Sequence, residues 1–193
     1  DKWMFYVKCK EHHIPTPETI LLLEDIAKSK KELKNFGHWP IILKRTEGTV
    51  GEFVDKADNI NEVEKIIKKF WKKGSEKMAI IGQEFIPSQS YRVTIIDGKI
   101  VQTALKQNKG WKATGAYSKR IKRFKVDKKL RGIVKKIIKV FDIKICGIDF
   151  LKRDGGWLAL EINSDPAFDF FECEREKLIE LTLNFLRKEA IKN

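Results

Sequence analysis

Two short apolar segments near the C-terminal end, each carrying hard oxygen ligands, constrain this chain more than anything else in it. The first is Gly147-Ile148-Asp149-Phe150-Leu151, and the second is Glu161-Ile162-Asn163-Ser164-Asp165-Pro166. Each reads as a buried β-strand, and the turn-forming Arg153-Asp154-Gly155-Gly156 between them makes an antiparallel pair. A carboxylate among apolar neighbours is costly to desolvate unless a cation or hydrogen bonds compensate it. Two adjacent strands of this kind can set Asp149, Glu161 and Asn163 side by side. Such oxygens suit Mg²⁺, which takes few protein ligands and completes its octahedron with phosphate and water. Mn²⁺ accepts the same donors. A metal-bound nucleotide is the expected occupant.

The length of 193 residues allows one domain or two small lobes, and an apolar fraction of 42% is enough to build a core. No apolar run approaches the roughly 20 residues of a membrane span, and the N-terminal stretch has no signal pattern. Cys9, Cys146 and Cys173 are too widely spaced for a zinc knuckle or a disulfide framework. They are expected to be buried thiols in a reducing cytoplasm. The abundance of Lys and Glu with few Gln and Met matches a hyperthermophile composition. That composition does not explain the net charge of +13. Between Lys106 and Lys129 stand ten Lys or Arg against one acid, Asp127. This loop, 106–129, is either a solvated face or a surface for phosphates, acidic peptides or nucleic acid.

Along the chain, Asp1 to His13 reads as a helix that Pro15 and Pro17 stop, followed by an extended Thr19 to Leu22. A helix from Asp25 to Asn35 ends at Gly37 as a C-cap, and Pro40 to Thr46 is an apolar strand. A short strand near Phe53-Val54 precedes a helix that opens at Asn59 with Glu62 as a capping box and runs to Trp71. Met78 to Ile86 is another strand. Asp97-Gly98 then joins Tyr91–Ile96 to Lys99–Leu105 as a hairpin, and Gln107 to Lys119 reads as a long loop. An amphipathic helix from Asp127 to Phe141, the two acid-bearing strands and a helix from Glu174 to Glu189 complete an α+β chain. The expected divisions are an entry helix and linker over 1–17, a small lobe over 18–86 and a large lobe over 87–193. Trp39, Trp71 and Trp157 are assigned to packing.

Further segments carry chemistry. Lys44 ends a strand before a loop whose Gly48 and Gly51 let the backbone approach a phosphate closely, with Thr49 between them. No Gly-Lys-Ser/Thr follows, so this is not a Walker A loop. Gln83-Glu84-Phe85-Ile86-Pro87 ends a strand where the lobes join, and reads either as a hinge that meets an adenine edge or as an ordinary strand end. Arg92 lies with Thr94 on the polar face of its strand, directed either to solvent or into a site. Trp111-Lys112-Ala113-Thr114-Gly115, in the basic loop, can close over phosphate, stack on nucleic acid or serve as structural filler.

The order of these pieces resembles the ATP-grasp superfamily, and within it the RimK-like carboxylate–amine (glutamate) ligases. Pro40-Ile41-Ile42-Leu43-Lys44 with Glu47-Gly48-Thr49-Val50-Gly51 is similar to that family's lysine strand and phosphate loop. Gln83-Glu84-Phe85-Ile86 is similar to its adenine hinge, and the two acid-bearing segments resemble its Mg²⁺ strands. The resemblance implies an ATP-grasp fold in which two α+β lobes with mostly antiparallel sheets sandwich ATP. Lys2, Lys44, Gly48, Thr49, Gly51, Glu84, Phe85 and Ile86 would bind the nucleotide, and Asp149, Glu161 and Asn163 would hold Mg²⁺. Arg92 and Lys112 would be catalytic. The implied reaction is an ATP-dependent union of an acidic carboxylate with an amine or amino acid through an acylphosphate. Ser90-Tyr91-Arg92 stands where the family has Asp-Ile-Arg, and Trp111-Lys112-Ala113-Thr114 where it has aromatic-Arg-Ser-Asn, so the acceptor stays open. A kinase acting on a small molecule or RNA, and a basic nucleic-acid-binding module with a vestigial ATP site, are the alternatives. Family members usually carry a further domain ahead of Asp1, here expected to be removed, on a separate chain, or dispensed with in a minimal form.

Overall fold

The computed structural model describes residues 1–22, 25–48, 52–73, 78–107, 110–112 and 120–192, which form two units. The first unit comprises residues 1–10 and 16–87. It contains α1 (Lys2–Glu11, its last residue outside the unit), β1 (Thr19–Leu22), α2 (Ile26–Phe36), β2 (Ile41–Arg45), β3 (Val54–Ala57), α3 (Ile60–Lys73) and β4 (Ile80–Glu84). The strands form an antiparallel sheet in the order β1-β4-β2-β3. Ile41 and Leu43 face a core built with Leu33 of α2 and with Val63, Ile66, Ile67 and Phe70 of α3. Strand alternation then turns Ile42 and Lys44 to the opposite face.

The helix boundaries follow their caps. Asp25 accepts from the Lys28 N–H at the start of α2, and Gly37 ends it in the left-handed region at φ 69°. Asn59 Oδ1 accepts from the Glu62 N–H, and Glu62 reaches back to the Asp58 N–H at 2.9 Å, one residue earlier than a standard capping box. Gly82 sits where β4 lies close under Leu33 of α2. A Cβ there would come 2.8 Å from Ile41 Cδ1 and 3.1 Å from Leu33 Cδ2.

The second unit comprises residues 11–15 and 88–193. Its strands β5 (Ser90–Ile96), β6 (Lys99–Gln107), β7 (Arg120–Lys122), β8 (Cys146–Arg153) and β9 (Gly156–Asn163) form a sheet ordered β7-β6-β5-β8-β9. The helices are α4 (Lys128–Phe141) and α5 (Glu172–Ala190). β7 begins directly after Gln107 to Lys119, the segment expected to be a loop. The hairpin turn has positive φ at both Asp97 (52°) and Gly98 (68°), as a type I′ turn requires. One sheet face is apolar. Tyr91 packs edge-on against Phe124 and Trp157, and Phe150 against Trp157, near the buried Leu130, Val134 and Ile137 of α4. Trp157 Nε1 also donates to Asp127, the N-cap of α4, at 2.8 Å.

Two expectations, on the cysteines and on Trp39, need correction, and one left open is decided. Arg92 lies on the face of Thr94 as expected, and of the two directions open to it, solvent or a site, that face is the buried one, with Arg92 8% and Thr94 0% exposed. The cover comes from α5, which packs against β5: Gln102, the buried cross-strand partner of Thr94, donates through Nε2 to Glu174 of α5 at 2.8 Å. Cys9 and Cys146 are buried and their thiols are pushed up to about 12 by burial, but Cys173 is exposed in the first turn of α5. Trp39, assigned to packing, is 37% exposed, because it stands in the turn before β2 and not in an element with a core face.

Candidate functional site

On the second unit's sheet, the functional side chains meet through cross-strand register. Arg92 on β5 is paired with Asp149 on β8, and Asp149 with Glu161 on β9. Gly147 is paired with Asn163. A strict two-residue alternation along β9 would have prevented this. Ala159 is opposite Phe150 and Trp157 opposite Lys152, so both share the face of Phe150. Continuing by twos would place Glu161 and Asn163 there too. A bulge between these pairs, with Leu160 unopposed, switches the parity and brings both residues to the face of Asp149.

Asp149 is 4% exposed and fully engaged on one oxygen. Its Oδ1 accepts from Arg92 Nε at 2.6 Å and from Lys106 Nζ at 2.9 Å, and its Oδ2 accepts from Arg92 Nη2 at 2.8 Å. Burial pushes the Asp149 carboxyl up, but Arg92 and Lys106 outweigh it and hold the group well below the usual carboxylate range. Lys106, itself 2% exposed, was not among the expected site residues. β6 was expected to end at Leu105, whereas it continues to Gln107. Gln102 and Ala104 are buried on the same face, and carrying the alternation two residues further reaches Lys106.

Gly147 leaves room for this ion pair. A Cβ added there would lie 2.3 Å from Arg92 Nη1 and 3.0 Å from Cδ. Gly147→Ala is therefore expected to force the guanidinium off Asp149 and to cost about 1–3 kcal/mol. A lowered urea midpoint with an unchanged slope checks this; an unchanged midpoint would show that Arg92 is not held as described.

The donors fit a hard cation. Each carboxylate oxygen offers two lone-pair directions, so Asp149 Oδ1 is filled while Oδ2 keeps one. Glu161 is half-buried, and its Oε1 is 3.4 Å from Asn163 Nδ2. Among the described residues, no group of three or more His, Cys, Asp or Glu side chains is placed to hold a metal. The set is two carboxylates and one amide, and Mg²⁺ takes one or two carboxylates with phosphate completing its shell.

In the first unit, Lys44 and Gln83 share the sheet face away from α2 and α3. Lys44 Nζ donates to Gln83 Oε1 at 2.7 Å, and Gln83 Nε2 donates to Thr19 Oγ1 at 3.0 Å. The start of α1 is docked beside the following loop: the Lys2 N–H donates to the Thr46 carbonyl and Lys2 Nζ to the Gly48 carbonyl at 3.1 Å. Gly48 has φ 129°, a conformation that favours glycine. Thr49 and Gly51 lie outside the described residues. Glu84 turns to the other face, where Oε1 accepts the Glu18 N–H and its own N–H donates to the Glu18 carbonyl, both at 2.9 Å. Phe85 is half-buried with Lys56 Nζ 5.6 Å from its ring centre, and Ile86 is buried. Lys112 Nζ lies 5.3 Å from the ring centre of Trp111; Ala113 and Thr114 lie outside the described residues.

A family model described as the RimK-like ATP-grasp domain matches residues 1–187. A probable alpha-L-glutamate ligase of Psychromonas ingrahamii is 30% identical over 82% of this chain and 54% of its own length. The alpha-aminoadipate–LysW ligase LysX of Saccharolobus solfataricus is 28% identical over 81% of the chain and 58% of its own length. The chain thus spans little more than half the length of these curated relatives. Among solved structures, D-alanine–D-alanine ligase from Bacillus anthracis superposes with a TM-score of 0.78 at 17% identity, covering 100% of this chain and 69% of the other. A RimK domain ATP-grasp protein from Sphaerobacter thermophilus gives 0.70 at 16% identity, over 94% and 64%.

Proposed function

Since the chain belongs to the RimK-like ATP-grasp domain family, we propose that it serves an ADP-forming ligase that joins a carboxylate to an amine. The observation that carries this reading is the register pairing of Asp149 with Glu161, with Asn163 two residues on, in a chain of that family. In the proposed reaction a carboxylate oxygen of the acceptor attacks the γ-phosphorus of ATP, and the bond to the β-phosphate oxygen breaks, releasing ADP. The amine nitrogen then attacks the acyl carbon, inorganic phosphate leaves, and the amine loses a proton. Mg²⁺ held by Asp149, Glu161 and Asn163 would neutralise phosphate oxygens when bound.

The side chains of this chain position and neutralise rather than react covalently. Lys44 and Lys2 would supply point charges to phosphate, and Gly48, with Thr49 and Gly51 beyond it, a close backbone approach. Glu84, Phe85 and Ile86 would bound the adenine. Arg92 holds Asp149 through Nε and Nη2, which leaves Nη1 as the donor that could meet an acylphosphate oxygen. Lys112 would serve the same charge from the basic loop. The names of the relatives favour an amino-dicarboxylate or glutamyl acceptor.

A product-resolved assay tests the reading. With ATP, Mg²⁺, glutamate, aminoadipate and mixed amino acids, mass spectrometry is expected to find a new amide formed with stoichiometric ADP and phosphate. ADP accompanied by a stable phosphorylated product and no amine dependence would replace the ligase by a kinase.

A further inference from the structure

Lys106 closes the inward row of β6, 2% exposed, with its ammonium 2.9 Å from Asp149 Oδ1. Arg92 grips the same carboxylate from a second strand, on both oxygens. Counted with Glu161, the cross-strand partner of Asp149, the cluster holds two negative and two positive side chains. A dication arriving alone meets no excess of negative charge here, and it meets two buried cations whose fields water screens poorly. The same dication carried on polyphosphate brings its own negative charge, which these cations favour.

We propose that Lys106 is a positioning residue: with Arg92 it restricts the metal contact of Asp149 to Oδ2, and it disfavours free divalent cation, so that metal enters only with an anionic nucleotide. This rests on the ligase reading for the identity of the metal–nucleotide. A lysine that merely stabilised the sheet would change stability when replaced and leave nucleotide-free metal affinity where it was.

The test is Mn²⁺ binding, read from the spin-resonance signal of free Mn²⁺, with and without AMP-PNP. Lys106→Met is expected to bind Mn²⁺ alone about tenfold more tightly than the wild type or better, Lys106→Arg to restore the weak wild-type affinity, and the wild type to take up Mn²⁺ once AMP-PNP is added. Circular dichroism monitors folding. Should Lys106→Met fail to fold, Lys106→Gln removes the charge while keeping a donor for Asp149 and is expected to show the same tightening. Unchanged or weaker Mn²⁺ binding by the folded charge-removed variant overturns the inference; if the wild type still takes up Mn²⁺ with AMP-PNP, the ligase reading survives that result. Tighter binding by the variant with no nucleotide-dependent uptake by the wild type supports exclusion of free cation by Lys106, overturns entry of the metal with nucleotide, and counts against the ligase reading. No Mn²⁺ bound by any protein in either condition overturns both.

Discussion

Asp149→Ala is expected to lower the unfolding free energy by about 3–5 kcal/mol, because it strands two buried cations rather than removing a single contact. Arg92 and Lys106 are 8% and 2% exposed, and both are bonded to this one carboxylate. For a chain of this size that loss corresponds to roughly 10 °C in melting temperature. The sign can be separated from simple loss of packing. Adding Lys106→Met to Asp149→Ala removes one stranded charge, so the double variant should recover part of the loss instead of falling further. A double variant less stable than Asp149→Ala alone would mean that the lysine is not held there by Asp149.

The same cluster sets a pH dependence. The Asp149 carboxyl is held well below its ordinary value in the folded protein, so below an ordinary carboxyl value near 4 the unfolded chain binds a proton that the folded one does not. Stability contributed by Asp149 is therefore complete above about pH 4 and is lost as pH falls below it toward the folded value. Acid titration of the wild type should show this slope, and Asp149→Ala should lack that part of it.

Most of the architecture was legible because local signals and tertiary packing agree. Asp97-Gly98 adopts the turn its sequence specifies, Gly37 caps α2 and Asp127 caps α4. What escaped reading depended on long-range pairing. The parity switch at Leu160 follows from the opposition of Glu161 to Asp149, and nothing in Trp157-Leu158-Ala159-Leu160 announces a bulge. Asp149, the partner of Arg92, arrives on β8, which crosses to the far side of β5, and the face they share is covered by α5. Lys106 was hidden by the basic run that follows it, since a lysine beginning such a run reads as solvated surface. Its strand alternation with Gln102 and Ala104 was the better guide. The residue types at the candidate site were thus visible, but the ion pairs that hold them were not.

Glu161→Gln is expected to separate activity from stability. Glu161 is half-buried and its nearest described bond is the long 3.4 Å contact from Asn163, so neutralising it strands no buried partner. Its electrostatic support of Arg92 is smaller than that of Asp149. The melting temperature should stay within about 2 °C of the wild type. If Glu161 holds the phosphate-bound cation, loss of its charge removes stabilisation where phosphoryl transfer concentrates negative charge, and ADP formation should fall by about 10²-fold or more. Asp149→Ala, by contrast, should lose stability and activity together. The contrast matters because a purely structural polar layer would make both substitutions act on stability in proportion to burial and leave nucleotide turnover tied to the folded fraction. A Glu161→Gln protein that melts like the wild type and still turns over Mg·ATP at the wild-type rate would remove Glu161 from the site, and with it the pairing on which the ligase reading stands.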